Sequence, residues 1–324
     1  MKRAILWFLL NAAALCWPAA ALAQAPYPAR PVKFVVPFLA GGGPDVVARM
    51  LAQELSTRFG QQFIVENRAG SGGSIGAAYV AKAAPDGYTI FFATEAPLVT
   101  NPHLYKSLGY DTLKDFAPIT NLVKTAFYVI VCPRLPVSSL SELAALARKQ
   151  RVTYASTGHG TTMNLAGEML KKGMGFDMTH IPYKGVPPAM ADIMSCTVDV
   201  GFGAFGSALP LIKGGKVKAI AISTPARVPE TPDVPTLRES GFANMEQIES
   251  SFSLLAPTGT PQPVIDLLFA ESTRIMKTRS MHDRMTERGI TIMLSESPAE
   301  FAAWIAAASR RYKILIDETK IVVE

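Results

Sequence analysis

Apolar residues recur along this chain in two rhythms. Short continuous runs rich in β-branched and aromatic residues, VKFVVPF (32–38), QFIVEN (62–67) and YTIFFAT (88–94), read as buried strands. Between the first two, Val47, Leu51 and Leu55 form one stripe of a helix over 46–59. RAGSGGSIGAAYVAKAA (68–84) reads as a glycine-rich loop running into another helix, and a Pro-Asp-Gly turn at 85–87 introduces the third strand. Strand, helix, strand, helix, strand implies a parallel sheet covered by helices.

The pattern then restarts. TAFYVIVC (125–132) reads as one long strand, and SSLSELAALARKQ (138–150) as a helix capped by Ser138 or Ser139 with Glu142 behind it. VTYAS (152–156), HIPYK (180–184), VDVGFG (198–203) and VKAIAIS (217–223) supply further strands, with a helix near 163–172. SFSLLAPTGTP (251–261) is a strand ending in a turn, and helices over 263–277 and 298–317 close the chain, the first amphipathic through Val264, Leu267, Leu268 and Ile275. No flexible connector separates the two sets. Strands are therefore expected to cross near Thr125 and Ser251, giving one lobe from 27–125 plus 251–324 and another from 126–250.

The N-terminus changes the setting. Lys2 and Arg3 precede an apolar run over 4–15, and Ala-Leu-Ala at 21–23 has the small residues of a cleavage site, so 1–23 reads as a secretory signal peptide. The run is short for a membrane span, and Leu15 is too large for lipoprotein processing at Cys16. The exported remainder, about 300 residues, is long enough for two lobes. Removing Lys2 and Arg3 takes the formal charge from +6 to near +4, carried by scattered residues. A nucleic-acid face would show a clustered basic stripe, so that partner class is set aside. Cys132 and Cys196 sit in apolar contexts that favour separate buried thiols, although export permits a disulfide.

Two strand-to-helix junctions carry the candidate chemistry. In VVPFLAGGGPDVVARML (35–51), Gly41 to Gly43 allow close ligand approach, Pro44 suits a first helical turn, and Asp45 can cap the helix or complement its dipole. Unpaired amides at such a junction favour an anion. The spacing fits neither the dinucleotide fingerprint nor the phosphate loop. YASTGHGTTMNLAGEML (154–170) repeats the logic with Gly158, Gly160 and the hydroxyls of Ser156, Thr157, Thr161 and Thr162. If the lobes face each other, both junctions address one cleft. Five or six charge-assisted hydrogen bonds supply roughly 10–15 kcal/mol gross, against about 8 kcal/mol for micromolar binding. The third loop, RAGSGGSIG (68–76), is read as structural. His103, His159, His180 and His282 lack metal-ligand spacing. Ser156 lies outside a nucleophile motif, and no acid is evident to orient His159, so no catalytic residue, metal or cofactor is expected. Glu168 reads as a structural acid, and an exported hydrolase acting through Ser156 is the lesser alternative.

A whole-chain series of motifs, PF-x-A-GG-x-x-D-x-x-AR, ENRAGSGG, AAPDGYT, NPHLY, DFAPI, HIPYKG, VPETPDVPTLRESG, LLAPTGTP and SPAEF, resembles the Bug-type receptors, extracytoplasmic solute-binding proteins of tripartite tricarboxylate transporters. The resemblance implies a type II periplasmic-binding-protein fold, an α/β Venus flytrap of two lobes joined by two crossover strands. It implies a carboxylate held between the first junction, where Phe38, Ala40, Gly41, Gly42 and Asp45 match, and the second, where Ser156, Thr157, Gly158, Gly160 and Thr161 match. The chain departs from the family pattern at Asn164 (commonly His), Gly203 (often Asp) and Ser251 (Trp). With Phe202 and Phe205 in GFGAFGSALP (201–210), the far end of the cleft is expected to be apolar. The resemblance further implies a periplasmic monomer that passes a di- or tricarboxylate or an aromatic acid to membrane permease subunits, or else reports it to a signalling partner.

Overall fold

The computed structural model describes residues 26–242, 245, 250–319 and 321; the expected signal peptide lies outside the described residues. The first part of the chain forms β1 (Val32–Val36), α1 (Gly43–Phe59), β2 (Phe63–Asn67), α2 (Ser74–Ala81) and β3 (Thr89–Thr94). A π-helical turn over Ala96–Thr100 leads to α3 (Asn101–Leu104) and β4 (Phe116–Thr125). β1 pairs in parallel with both β2 and β3. Val47, Leu51 and Leu55 are fully buried on α1, which stops at Gly60 in the left-handed conformation that lets the chain turn back.

The chain changes sheet at Ala126. β5 (Phe127–Val131), α4 (Leu140–Ala147), β6 (Thr153–Ser156), α5 (Thr162–Met174), β7 (Thr179–Pro182), α6 (Val186–Ser195), β8 (Val200–Ala204), α7 (Phe205–Lys213) and β9 (Lys218–Ile222) follow. They build a sheet in the order β7-β6-β8-β5-β9. The chain then returns through β10 (Ser250–Pro257), α8 (Gln262–Met276), α9 (Arg279–Thr286), β11 (Ile290–Ile292) and α10 (Pro298–Thr319). The first sheet thereby reads β11-β4-β10-β3-β1-β2. The apolar run at 125–132 is accordingly split, its first residue ending β4 and the rest belonging to β5 of the other sheet. Thr125 lies opposite Ser250, so the two connecting strands leave the first sheet side by side.

Three clusters form the core. One fills the outer face of the first sheet with Phe34, Leu51, Phe92 and Leu254, and another fills one face of the second with Tyr128, Ile193 and Phe205. The third runs through both halves, from Phe91 and Leu255 past Phe301 and Tyr312 of α10 to Val129, Tyr154 and Leu165. The final helix packs on β4 and on α5, tying the halves together.

Cys132 and Cys196 are joined in a disulfide, with Cα atoms 5.1 Å apart. This corrects the reading of two separate thiols. Cys132 follows β5 and Cys196 ends α6, and the packing of α6 beside β8 brings the two positions together. Among the described residues no helix is long and apolar enough to cross a membrane.

Candidate functional site

The first junction is held in place by Asp45. Its Oδ2 accepts the Gly41 amide (2.9 Å) and Arg49 Nε (3.0 Å), while Oδ1 accepts Asn67 Nδ2 (2.9 Å). Asn67 Nδ2 also donates to the Phe38 carbonyl, tying the loop to β2. Burial works against ionisation of Asp45, but the bonds from Arg49, Gly41 and Asn67 outweigh it and hold the carboxyl below the usual range. Both oxygens of Asp45 are thus turned into the loop. Gly42 is the N-cap of α1 and supplies no side-chain cap, and Pro44 follows in the first turn.

The second junction is clamped in the same manner. Ser156, fully buried, accepts the Gly158 amide (3.0 Å) and lies 2.6 Å from His180 Nε2. Asn164 accepts the Gly160 amide (3.0 Å) and donates to the Tyr154 hydroxyl (2.9 Å), which donates in turn to Glu168 (2.6 Å). Thr161 caps α5, its hydroxyl donating to the Gly158 carbonyl (2.8 Å). The amides of Gly41, Gly158 and Gly160 therefore shape their loops by donating to side chains within them. Burial above all, with the neighbouring His159 and Lys171, lowers the His180 pKa to about 4, so the ring is neutral near pH 7.

The two junctions meet. A cavity of about 60 Å³ lies between them, lined by Phe38, Gly42 and Gly43 on one side and Thr157, Thr161 and Thr162 on the other. Val186, Met163 and Phe252 give it apolar walls, and Thr125 and Ser250 of the connecting strands close the back. A second chamber of about 160 Å³ shares Gly43, Thr125, Ala204 and Phe252 with it and also touches Gly41. The loop at 68–76 packs across the divide, since a Cβ on Gly72 would lie 2.3 Å from the His159 carbonyl oxygen.

The receptor family of the tripartite tricarboxylate transporters, TctC, matches residues 47–321. The chain belongs to this family. BugT of Bordetella pertussis is 33% identical over 90% of both chains. The solved periplasmic binding protein BugD is 34% identical, with a TM-score of 0.87 over 92% of this chain and all of that one. MatC of Rhodopseudomonas palustris, solved with bound malate, is 31% identical, with a TM-score of 0.83 over 90% of this chain and all of that one. The fold is that of these two-lobed periplasmic binding proteins, and the family consists of solute-binding receptors, not enzymes.

Within this TctC member the remaining sequence-derived candidates lie outside the cavity. Phe202 is buried against Phe127 and Tyr154, and Gly203 pairs with Tyr128, where an added Cβ would meet Ala208 at 2.7 Å. Phe205 stacks on Tyr128 in the core. Ala40 is exposed on the loop. Apolar walls come instead from Phe252, Met163 and Val186.

Glu95 escaped the sequence reading. It follows β3 directly, is 4% exposed and lines the cavity. Its Oε2 accepts the Ser251 amide (2.8 Å), and its Oε1 accepts the hydroxyl of Thr162 from the opposite half. A lone acid in an apolar run was the only signal, and nothing in the sequence says that β3 ends facing α5.

Proposed function

We propose that this protein captures a small carboxylate in the cavity between its halves and delivers it, unchanged, to membrane permease subunits. The observation that carries the reading is the cavity itself, walled by the N-terminal turns of α1 and α5 from two different sheets. Gly42 and Gly43 offer backbone approach, Thr157, Thr161 and Thr162 offer hydroxyls, and the helix ends favour negative charge. Gly41, Asp45, Ser156, Gly158, Gly160 and Asn164 keep the two loops in shape for it. The malate bound by MatC supports a carboxylate as the cargo.

The lobes are 27–125 with 251–324 and 126–250, and they close on the ligand by bending where the strands cross. Segment 1–23 directs export to the periplasm, where the receptor works as a monomer. Three to five charge-assisted hydrogen bonds, at roughly 1.5–3 kcal/mol each, give about 5–15 kcal/mol gross, and the upper part of that range supplies the approximately 8 kcal/mol of micromolar binding with some left for closure. Calorimetry with a broad panel of carboxylic acids is expected to find one binding at micromolar or better. Silence across the panel would remove the reading.

A further inference from the structure

Two glycines at the contact between the halves are not explained by their own backbone. Gly72 and Gly158, at the same contact, have positive φ, which accounts for them locally. Gly185 instead caps α6 with an extended backbone, φ 171°, that any residue adopts. Gly206 lies in the first turn of α7 without a positive φ, at a position where alanine would favour the helix.

The space of each missing side chain is taken by the opposite half. A Cβ on Gly206 would lie 2.4 Å from the Arg288 carbonyl oxygen and 3.1 Å from the Arg288 Cα, backbone atoms that cannot rotate away. A Cβ on Gly185 would lie 3.1 Å from Leu39 Cβ and 3.4 Å from the Leu39 amide nitrogen. In each case the three nearest atoms all belong to that one residue across the divide. Arg288 stands two residues before Ile290, which pairs with Thr125 where the chain changes sheet, so the Gly206 contact is on the pivot side. Leu39 is 37% exposed and adjoins Phe38 of the cavity wall, as Gly185 adjoins Val186, so their contact is at the outer rim.

We infer that Gly206 and Gly185 are positioning residues for closure, whose missing side chains let the halves dock directly on one another. This dock sets how far the cavity shuts and how long it keeps its contents. The inference rests on the reading that the halves close on a carboxylate, and adds which atoms stop the motion. A methyl group at 206 acts as a wedge. Restoring ordinary carbon–oxygen contact there takes about 1 Å, and the displacement grows with distance from the pivot, so the rim opens further. At 185 the exposed Leu39 side chain can yield, so the obstruction is milder.

The test uses Gly206→Ala and Gly185→Ser in the mature protein. Both changes are favourable within the second half, since alanine suits a helix and serine would cap α6, which has no side-chain cap. Unfolding midpoints in denaturant are therefore expected to be no lower than that of the unaltered protein. A clear fall would show that these contacts are fixed packing and would overturn the inference. Calorimetry with a panel that includes malate, adipate and benzoate then takes the tightest binder of the unaltered protein. Its affinity is expected to drop about tenfold or more in Gly206→Ala, because the closed form is less populated, and by less in Gly185→Ser. Faster dissociation is expected to carry the loss, and X-ray scattering at saturating ligand is expected to give a larger radius of gyration. Gly206 lines the second chamber and Gly185 lines neither space, so a loss confined to Gly206→Ala with an unchanged radius would indicate bulk in the chamber and overturn the inference. Unchanged affinity and radius in both variants would also overturn it and leave the receptor reading standing. Silence of the unaltered protein across the panel would remove both.

Discussion

His180 shows how one side chain ties the second junction to the conditions around it. It stacks on Tyr154, with ring centroids 4.8 Å apart, and sits edge-on to His159. Its folded pKa of about 4 lies below the ordinary 6.5, so between those values the unfolded chain holds a proton that the native protein does not. That contribution to stability is complete above pH 6.5 and is lost as the pH falls through the window towards 4. Asp45, with its lowered pKa, loses its contribution only below the ordinary carboxylate range and does not mask the effect. The melting temperature is therefore expected to fall between pH 7 and pH 4.5, with a shallower fall in His180→Asn. An equal fall in both proteins would discount His180. Ser156 meets His180 and not its sequence neighbour His159, because the parallel register that sets Tyr154 beside His180 brings that histidine to it.

At the scale of elements, the strand–loop–helix junctions were legible because glycine and hydroxyl residues punctuate apolar runs, and the parallel β1–β3 core followed from alternation. The elements that escaped had local chemistry that hid them. α6 and α7 carry prolines and small residues (GVPPAMADIMS and FGSALPLIK), and the change of sheet at Ala126 falls inside an unbroken apolar run. Which loop donors face the ligand depends on competitors such as Asp45 and Asn164, whose reach back into their own loops is set by tertiary geometry. Gly160 tests how tightly the second junction is built. Its φ of +75° is in the left-handed region, and a Cβ there would lie 2.2 Å from Asn101 Oδ1, itself held through Nδ2 to Gly72 and Ser74. Gly160→Ala is expected to cost about 2–5 kcal/mol, combining backbone strain with overpacking. Gly175→Ala, at φ +62° in open space, is expected to cost only about 1–2 kcal/mol. Denaturant unfolding of the two variants would show the difference, and equal costs would contradict the packing described.

For the whole molecule, the Cys132–Cys196 link closes a separation of 64 residues within the second sheet's half and spans no boundary between halves. Replacing both cysteines by serine is expected to lower stability by about 2–4 kcal/mol while leaving ligand affinity unchanged, since neither residue lines the cavity. A large loss of affinity in a folded double variant would show that the second half is less independent than its topology indicates. The paired exits at Thr125 and Ser250 have a different reach. Both residues also line the cavity, so the proposed bending point and the proposed binding surface coincide. On the proposed reading, occupancy of the chamber would register as a change of angle between the halves, and a membrane partner sensing only posture would tell a loaded receptor from an empty one without touching what it holds.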